Sequence, residues 1–221
     1  MSDKTLKAQN VKWLVMLALL DTFVVLLCVV PELADFKFMS NIVIARTSGT
    51  AVLPVVVLLL VELIPPNAKA TLVYWRLRQP LPGSRAFSKY ALDPRIDMEA
   101  LKKNVGAFPG DPAEQNSRWY KLYKLVINDK AVIEAHKNYL MYRDMTAISI
   151  LLAAVVPIGL AFTPASPSVK VYVLLFFAVQ FAVCALNARN SGIRMVRNVL
   201  AAHGSAKIAG SKATAKATPG A

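Results

Sequence analysis

The residues whose type and placement could do chemistry are few, and the first of them is an acid in apolar surroundings. Asp21 interrupts the apolar run that follows Lys12, nine residues beyond that lysine. If the run is a helix crossing a bilayer, a rise of about 1.5 Å per residue puts Asp21 close to the midplane. An ionised carboxylate there costs at least roughly 2.5 to 3.5 kcal/mol on insertion scales, so the residue must face protein or water. Thr22 follows it and can share a hydrogen bond, while Arg46, entering from the far side, and Gln180, in a later apolar run, are candidate partners. Two chemistries are open to this intramembrane polar set of Asp21, Arg46 and Gln180. One is a neutral, hydrogen-bonded acid that fixes helix packing. The other is a station on an ion or proton path, or in an oligomeric pore. Arg46 and Glu62 lie near the ends of their run, where long side chains snorkel to head groups.

Other reactive types are scarce. Cys28 and Cys184 both fall inside apolar runs and read as reduced, packed thiols, and neither His136 nor His203 stands at ligand spacing from another metal-binding residue. No metal site and no cofactor is expected. Paired carboxylates, or a nucleophile with its base, cannot be assembled, so the chain reads as a non-enzyme with no catalytic residues. His136 shares a helix face with Val132, Tyr139 and Arg143, which reads as an interface. One string stands apart: Arg197-Asn198-Val199-Leu200-Ala201-Ala202-His203 resembles the Arg, polar residue, four-residue gap, His motif of HEPN-type ribonucleases. The resemblance covers seven residues, and the surrounding chain does not supply the helical bundle that would position two such motifs across a dimer.

The elements that must position these residues follow from composition. Of 221 residues, 56% are apolar and only 18% are charged, yet the net charge is +13. A soluble domain carries about 25% charged residues, so one water-soluble globule is excluded and the charges must be segregated. Four runs are long and apolar enough to be membrane-spanning helices, at about 11–30, 42–64, 147–162 and 169–186. The first is read as an uncleaved anchor, because Asp21 breaks its apolar core and no small-residue cleavage site follows. Pro54 inside the second is tolerable in lipid. The short link between the last two predicts an antiparallel hairpin.

Charge asymmetry orients the spans. Lys4, Lys7 and Lys12 precede the first, residues 65–144 carry a net +6, and Arg189, Arg194, Arg197, Lys207, Lys212 and Lys216 follow the last with no acid among them. The rule that positive flanks stay inside then makes both termini and the middle region cytoplasmic in a cell membrane, the inner membrane in a bacterium. The basicity is thereby explained by topology, and with no phosphate loop or nucleic-acid signature no specific nucleic-acid partner is expected.

The expected fold is therefore all-α: spans one and two within 1–64, a cytoplasmic helical module over 65–144, spans three and four with a cytoplasmic extension over 145–202, and a disordered basic tail over 203–221. Within the module a helix is expected from Asn67 to the prolines at 80 and 82, a short one capped by Asp97 and ending near Gly106, and a clear start at Asp111-Pro112 with Glu114. That last helix sets Trp119, Leu122, Tyr123 and Val126 on one face and Arg118, Lys121 and Lys124 beside it. Asp129 caps the next, which is expected to run straight into span three. The aromatic stripe asks for something to pack on. Arg118, Trp119, Lys121, Tyr123, Lys124, His136 and Arg143 form the candidate cytoplasmic face toward a soluble protein or small-molecule signal, or toward anionic lipid head groups. The functional expectation is a multi-pass effector or regulator, as in a bacterial defence or stress response, whose module senses that signal and whose spans respond, oligomerising with other copies and permeabilising the membrane. A small channel or transporter with a path through Asp21 and Gln180 is the alternative.

Overall fold

The computed structural model describes residues 3–29, 48–161 and 166–215. Among them every regular element is helical. They are α1 (Asp3–Val29), α2 (Leu53–Leu63), α3 (Pro66–Tyr74), α4 (Met98–Val105), α5 (Pro112–Leu125), α6 (Lys130–Ala161) and α7 (Pro167–Ala215), with 3-10 turns at Pro82–Arg85 and Tyr90–Leu92. Three helical stretches are long and apolar enough to cross a membrane, namely Leu6–Cys28, Lys130–Ala161 and Pro167–Gly204. A fourth exists if Ser48–Leu63 and Pro66–Tyr74, bent by 98°, are one broken span. The start of the second expected span, with Arg46, lies outside the described residues, as do the link between the first two spans and residues 162–165 of the link between the last two.

The chain divides into two compact units, one of Ser2–Val73 with Leu140–Ala188 and one of Tyr74–Tyr139 with Arg189–Ala221. Thus α6 and α7 each contribute one part to either unit. At 32 and 49 residues, and about 1.5 Å per residue, both are longer than the roughly 30 Å of a hydrocarbon core.

The first unit is an inside-out bundle. On α1, Leu6, Asn10, Leu14, Ala18, Asp21 and Val25 recur every three or four residues and are buried, while Val11, Met16, Leu19, Leu20, Phe23 and Leu27 are exposed. Asn10 and Asp21 face inward among apolar residues while large apolar side chains face out, unlike a soluble amphipathic helix. Leu14 and Val25 pack with Val57, Val61, Ile148, Leu152 and Phe177 into one apolar core. Pro54 is buried at the start of α2, where it lacks no helical partner.

The second unit is built by caps and irregular chain. Asp97 accepts from the Ala100 amide, Asp111 from those of Ala113 and Glu114, and Asp129 from those of Ala131 and Val132. Gly106 ends α4 at φ 84°, a backbone that glycine adopts without penalty. The helix expected to reach Pro80 stops earlier: α3 ends at Tyr74 because Trp75, at φ 54°, is left-handed. It also begins at Pro66, one residue before the expected cap. The backbone of α7 stays helical to Ala215, beyond the point at which a disordered tail was expected. Leu101, Trp119, Tyr123, Val132, Val196 and Val199 are among its buried core.

Candidate functional site: a polar clamp in the bundle

Asp21 is fully buried. Gln180 on α7 uses both of its amide hydrogens, donating to Asp21 Oδ2 at 3.1 Å and to Ser149 Oγ at 3.1 Å. Ser149 on α6 in turn donates to the Met145 carbonyl at 2.9 Å, one turn back along its own helix. Three helices are therefore joined by one amide. Each contributes one polar side chain to the clamp, placed there by helical periodicity. The second carboxylate oxygen of Asp21, Oδ1, is buried and has no hydrogen-bond partner. Thr22 does not share the bond to Asp21. Its hydroxyl donates to the Ala18 carbonyl at 2.7 Å, the usual back-bond of a helical threonine. Of the expected intramembrane set, Asp21 and Gln180 meet, while Arg46 lies outside the described residues.

A second polar group in this unit was not visible in the sequence. Lys69 Nζ stands 3.0 Å from Asp144 Oδ1, and both side chains are almost fully buried. The neighbouring Arg143 donates to the same carboxylate oxygen from Nε at 3.2 Å and Nη2 at 3.1 Å. Lys69 depends strongly on this buried carboxylate, since removing the acid leaves a buried ammonium uncompensated.

The basic and aromatic residues expected to form one face are divided. Trp119 and Tyr123 are buried, their rings stacked 5.7 Å apart. Trp119 is pressed against the turn at Gly83, where an added Cβ would meet Asn116 Oδ1 at 2.5 Å and Trp119 Cε3 at 2.6 Å. His136 is buried too, with Nδ1 2.9 Å from Tyr123 Oη. Arg118 closes the end of α4, donating from Nη2 to the Val105 carbonyl at 2.6 Å and from Nη1 to that of Ala107 at 3.1 Å. Lys121 and Lys124 are exposed, the latter 4.9 Å from the Tyr120 ring. Arg143 belongs to the other unit. The stripe packs within its own unit because the irregular stretch before α4 supplies the surface it needed. Gln115, also buried, holds that stretch by accepting from the Phe87 and Ser88 amides, each at 3.1 Å.

The residues of the ribonuclease-like string are likewise engaged in the fold. Arg197 Nε lies 3.1 Å from Asp93 Oδ2 as an ion pair, without a hydrogen bond's alignment. Asn198 donates to the Ala131 carbonyl at 3.0 Å, and His203 Nε2 meets the Leu122 carbonyl at 3.0 Å. Hydrogen bonds from Arg95 hold Asp93 below the usual carboxylate range, with Arg197 adding to the effect. Both cysteines are free thiols, Cys184 buried and Cys28 half-buried. Among the described residues no three His, Cys, Asp or Glu side chains stand close enough to share a metal ion.

Comparison of the chain with protein-family models, curated proteins and solved structures finds no match.

Proposed function

We propose that the protein is a non-enzymatic multi-pass membrane effector or regulator. Its basic unit, on the cytoplasmic side, senses a soluble signal or partner, and its spans respond by rearranging or assembling with other copies until the membrane leaks. The observation that supports this reading is the identity of the helices that meet Asp21. Ser149 lies on α6 and Gln180 on α7, the two helices that also contribute Lys130–Tyr139 and Arg189–Ala215 to the basic unit. A shift or rotation of either helix would move an amide or hydroxyl off a buried carboxylate, and a polar group stranded in lipid seeks a new partner, here in another copy. The clamp thus serves as a two-state element that the sensing unit biases. Expression in bacterial cells with a potential-sensitive dye tests this. Growth arrest with depolarisation is expected, and Gln180→Leu should deepen the depolarisation at equal protein level. A chain that stays monomeric in nanodiscs, and that leaves the potential unchanged with and without the clamp, would overturn the proposal.

A small channel or transporter is the second reading, and one observation favours it: Asp21 Oδ1 is a buried carboxylate oxygen with no partner, open to a proton or a cation. Liposome flux that disappears in Asp21→Asn, with insertion intact, would move the assignment there.

A further inference from the structure

Between α1 and α7 the bundle leaves an open groove of about 490 Å³. Leu20, Phe176, Val179 and Val183 wall it, and Gln180 and Cys184 border it too, all within the bundle unit. Val179 is 62% and Val183 52% exposed, so the groove opens outward. Both helices are long and apolar enough to cross a membrane, which makes hydrocarbon the medium at its mouth. Gln180, bonded to Asp21, shares the near-midplane depth of that acid.

The clamp accounts for only half of the Gln180 amide. Its two hydrogens go to Asp21 and Ser149, both fully buried, so the nitrogen faces the interior. The carbonyl oxygen, Oε1, is then the part of the amide left on the groove side, and among the described residues no donor reaches it. The opposite orientation would turn Oε1 to Ser149 Oγ, whose proton is already given to the Met145 carbonyl. An amide acceptor without a donor is unfavourable in hydrocarbon, where no water takes the partner's place. A second copy of the chain does not supply the donor. Copies inserted the same way meet at equal depth, and the nearest hydroxyl lining this groove, on Tyr172, is eight residues from Gln180, about 12 Å along the axis. Phospholipids hold their polar groups at the interface, too shallow to reach it.

We propose that the groove binds a membrane-soluble phenol: an aromatic ring bearing a hydroxyl, with an alkyl or isoprenoid tail, the class that includes the reduced quinones of membranes. Its hydroxyl donates to Gln180 Oε1, its ring packs on the partly exposed ring of Phe176, and its tail leaves toward the lipid. A phenol is a stronger donor than an aliphatic alcohol, and its one small polar group tolerates the midplane depth at which Gln180 lies. A hydroxyl bonded to Oε1 polarises the amide and strengthens the two bonds that the amide donates, so an occupied groove tightens the clamp. The site does not depend on the effector reading, because it needs only the clamp and a bilayer around it.

The test uses the full chain in nanodiscs with tritiated 4-nonylphenol, and with its methyl ether, 4-nonylanisole, as the probe that lacks only the donor. Uptake by empty nanodiscs is subtracted. The phenol should bind saturably and about fivefold more tightly than the ether. Gln180→Met, which removes the acceptor, should bring the phenol down to the ether. Val183→Trp fills the groove from an exposed position without touching the clamp, and should abolish saturable binding of both probes. Equal affinity of phenol and ether overturns the hydroxyl bond and leaves the groove to hydrocarbon. Saturable binding that survives Val183→Trp overturns the groove as its place. Absence of saturable binding overturns the site, and cross-linked dimers that Val183→Trp abolishes would then assign the groove to a second copy.

Discussion

The two units bury polar side chains in opposite ways. In the bundle, buried polar groups find one another across helices: Asp21 with Gln180 and Ser149, Lys69 with Asp144. In the basic unit several find backbone, the Tyr123 and His136 pair apart. Gln115 serves the Phe87 and Ser88 amides, the half-buried Arg118 two carbonyls, and the half-buried His203 that of Leu122. The cause is the state of the backbone. A continuous helix in lipid has satisfied its own amides, so a polar side chain inside the bundle bonds another side chain or, as Ser149 and Thr22 do, a carbonyl of its own helix. A unit with many helix ends and turns has orphan backbone groups, and side chains are consumed in satisfying them. The bundle's polar contacts can therefore exchange partners, whereas those of the basic unit are fixed in the fold.

This contrast can be broken experimentally, and the largest effect is expected at the buried ion pair. Asp144→Ala should cost about 3–5 kcal/mol in reversible unfolding from mixed micelles, since it strands the buried Lys69. Lys69→Met with Asp144→Leu should recover a large part of the loss, and a double variant as unstable as the single would show that the pair is not a unit. Next comes Gln115→Ala. It should lower stability by about 1–3 kcal/mol for the two stranded amides and hasten proteolysis between residues 80 and 92. Unchanged cleavage there would mean that the glutamine does not hold the stretch. For Asp21 and Gln180 the expected coupling is only about 0.6 kcal/mol in a double-mutant cycle, because in the unfolded membrane state each finds other partners. A coupling several times larger would mark the clamp as the main bond of the bundle. The smallest effect is a pH dependence at Asp93. Its carboxyl is held below the usual range by Arg95, so its contribution is fully present above the ordinary aspartate range and is lost as pH falls through the lower folded value. The difference in melting temperature between Asp93→Asn and the parent should thus be present at pH 7 and vanish in strong acid. A difference that persists in acid would exclude the carboxylate as its cause.

How far the sequence foretells these features depends on whether their cause is local. The caps at Asp97, Asp111 and Asp129 were legible because each bonds to amides two or three residues ahead. The aromatic stripe of α5 was legible as a buried face, but what covers it was not, since the turn at Pro82–Arg85 shows no periodicity. Gln180 could be named as a partner of Asp21 because an amide among apolar residues is conspicuous. Ser149 was missed because a serine is unremarkable in a span, where it can bond its own helix. In the sequence, Lys69 and Asp144 enter only through the net charge of residues 65–144. Only the pairing of distant segments removes them from water, and one sequence carries no record of that pairing. Trp75 was misread because local helix propensity continues past Tyr74.

The sharing of α6 and α7 between the two units also bears on how the protein is made. The basic unit draws on Tyr74–Tyr139 and on the stretch from Arg189, which leaves the ribosome later. Met195, Val196, Val199 and Leu200 are buried in that unit, so Trp119, Tyr123 and their neighbours must wait for α7 before the core can close. During synthesis the apolar helices can enter the membrane in order while the basic unit is still incomplete, with its apolar surface unprotected. The stretch from Arg189 thus decides when this part of the chain stops being a partly folded liability, and a ribosome that stalls after Ala188 would leave an inserted bundle bearing an unfinished, aggregation-prone appendage.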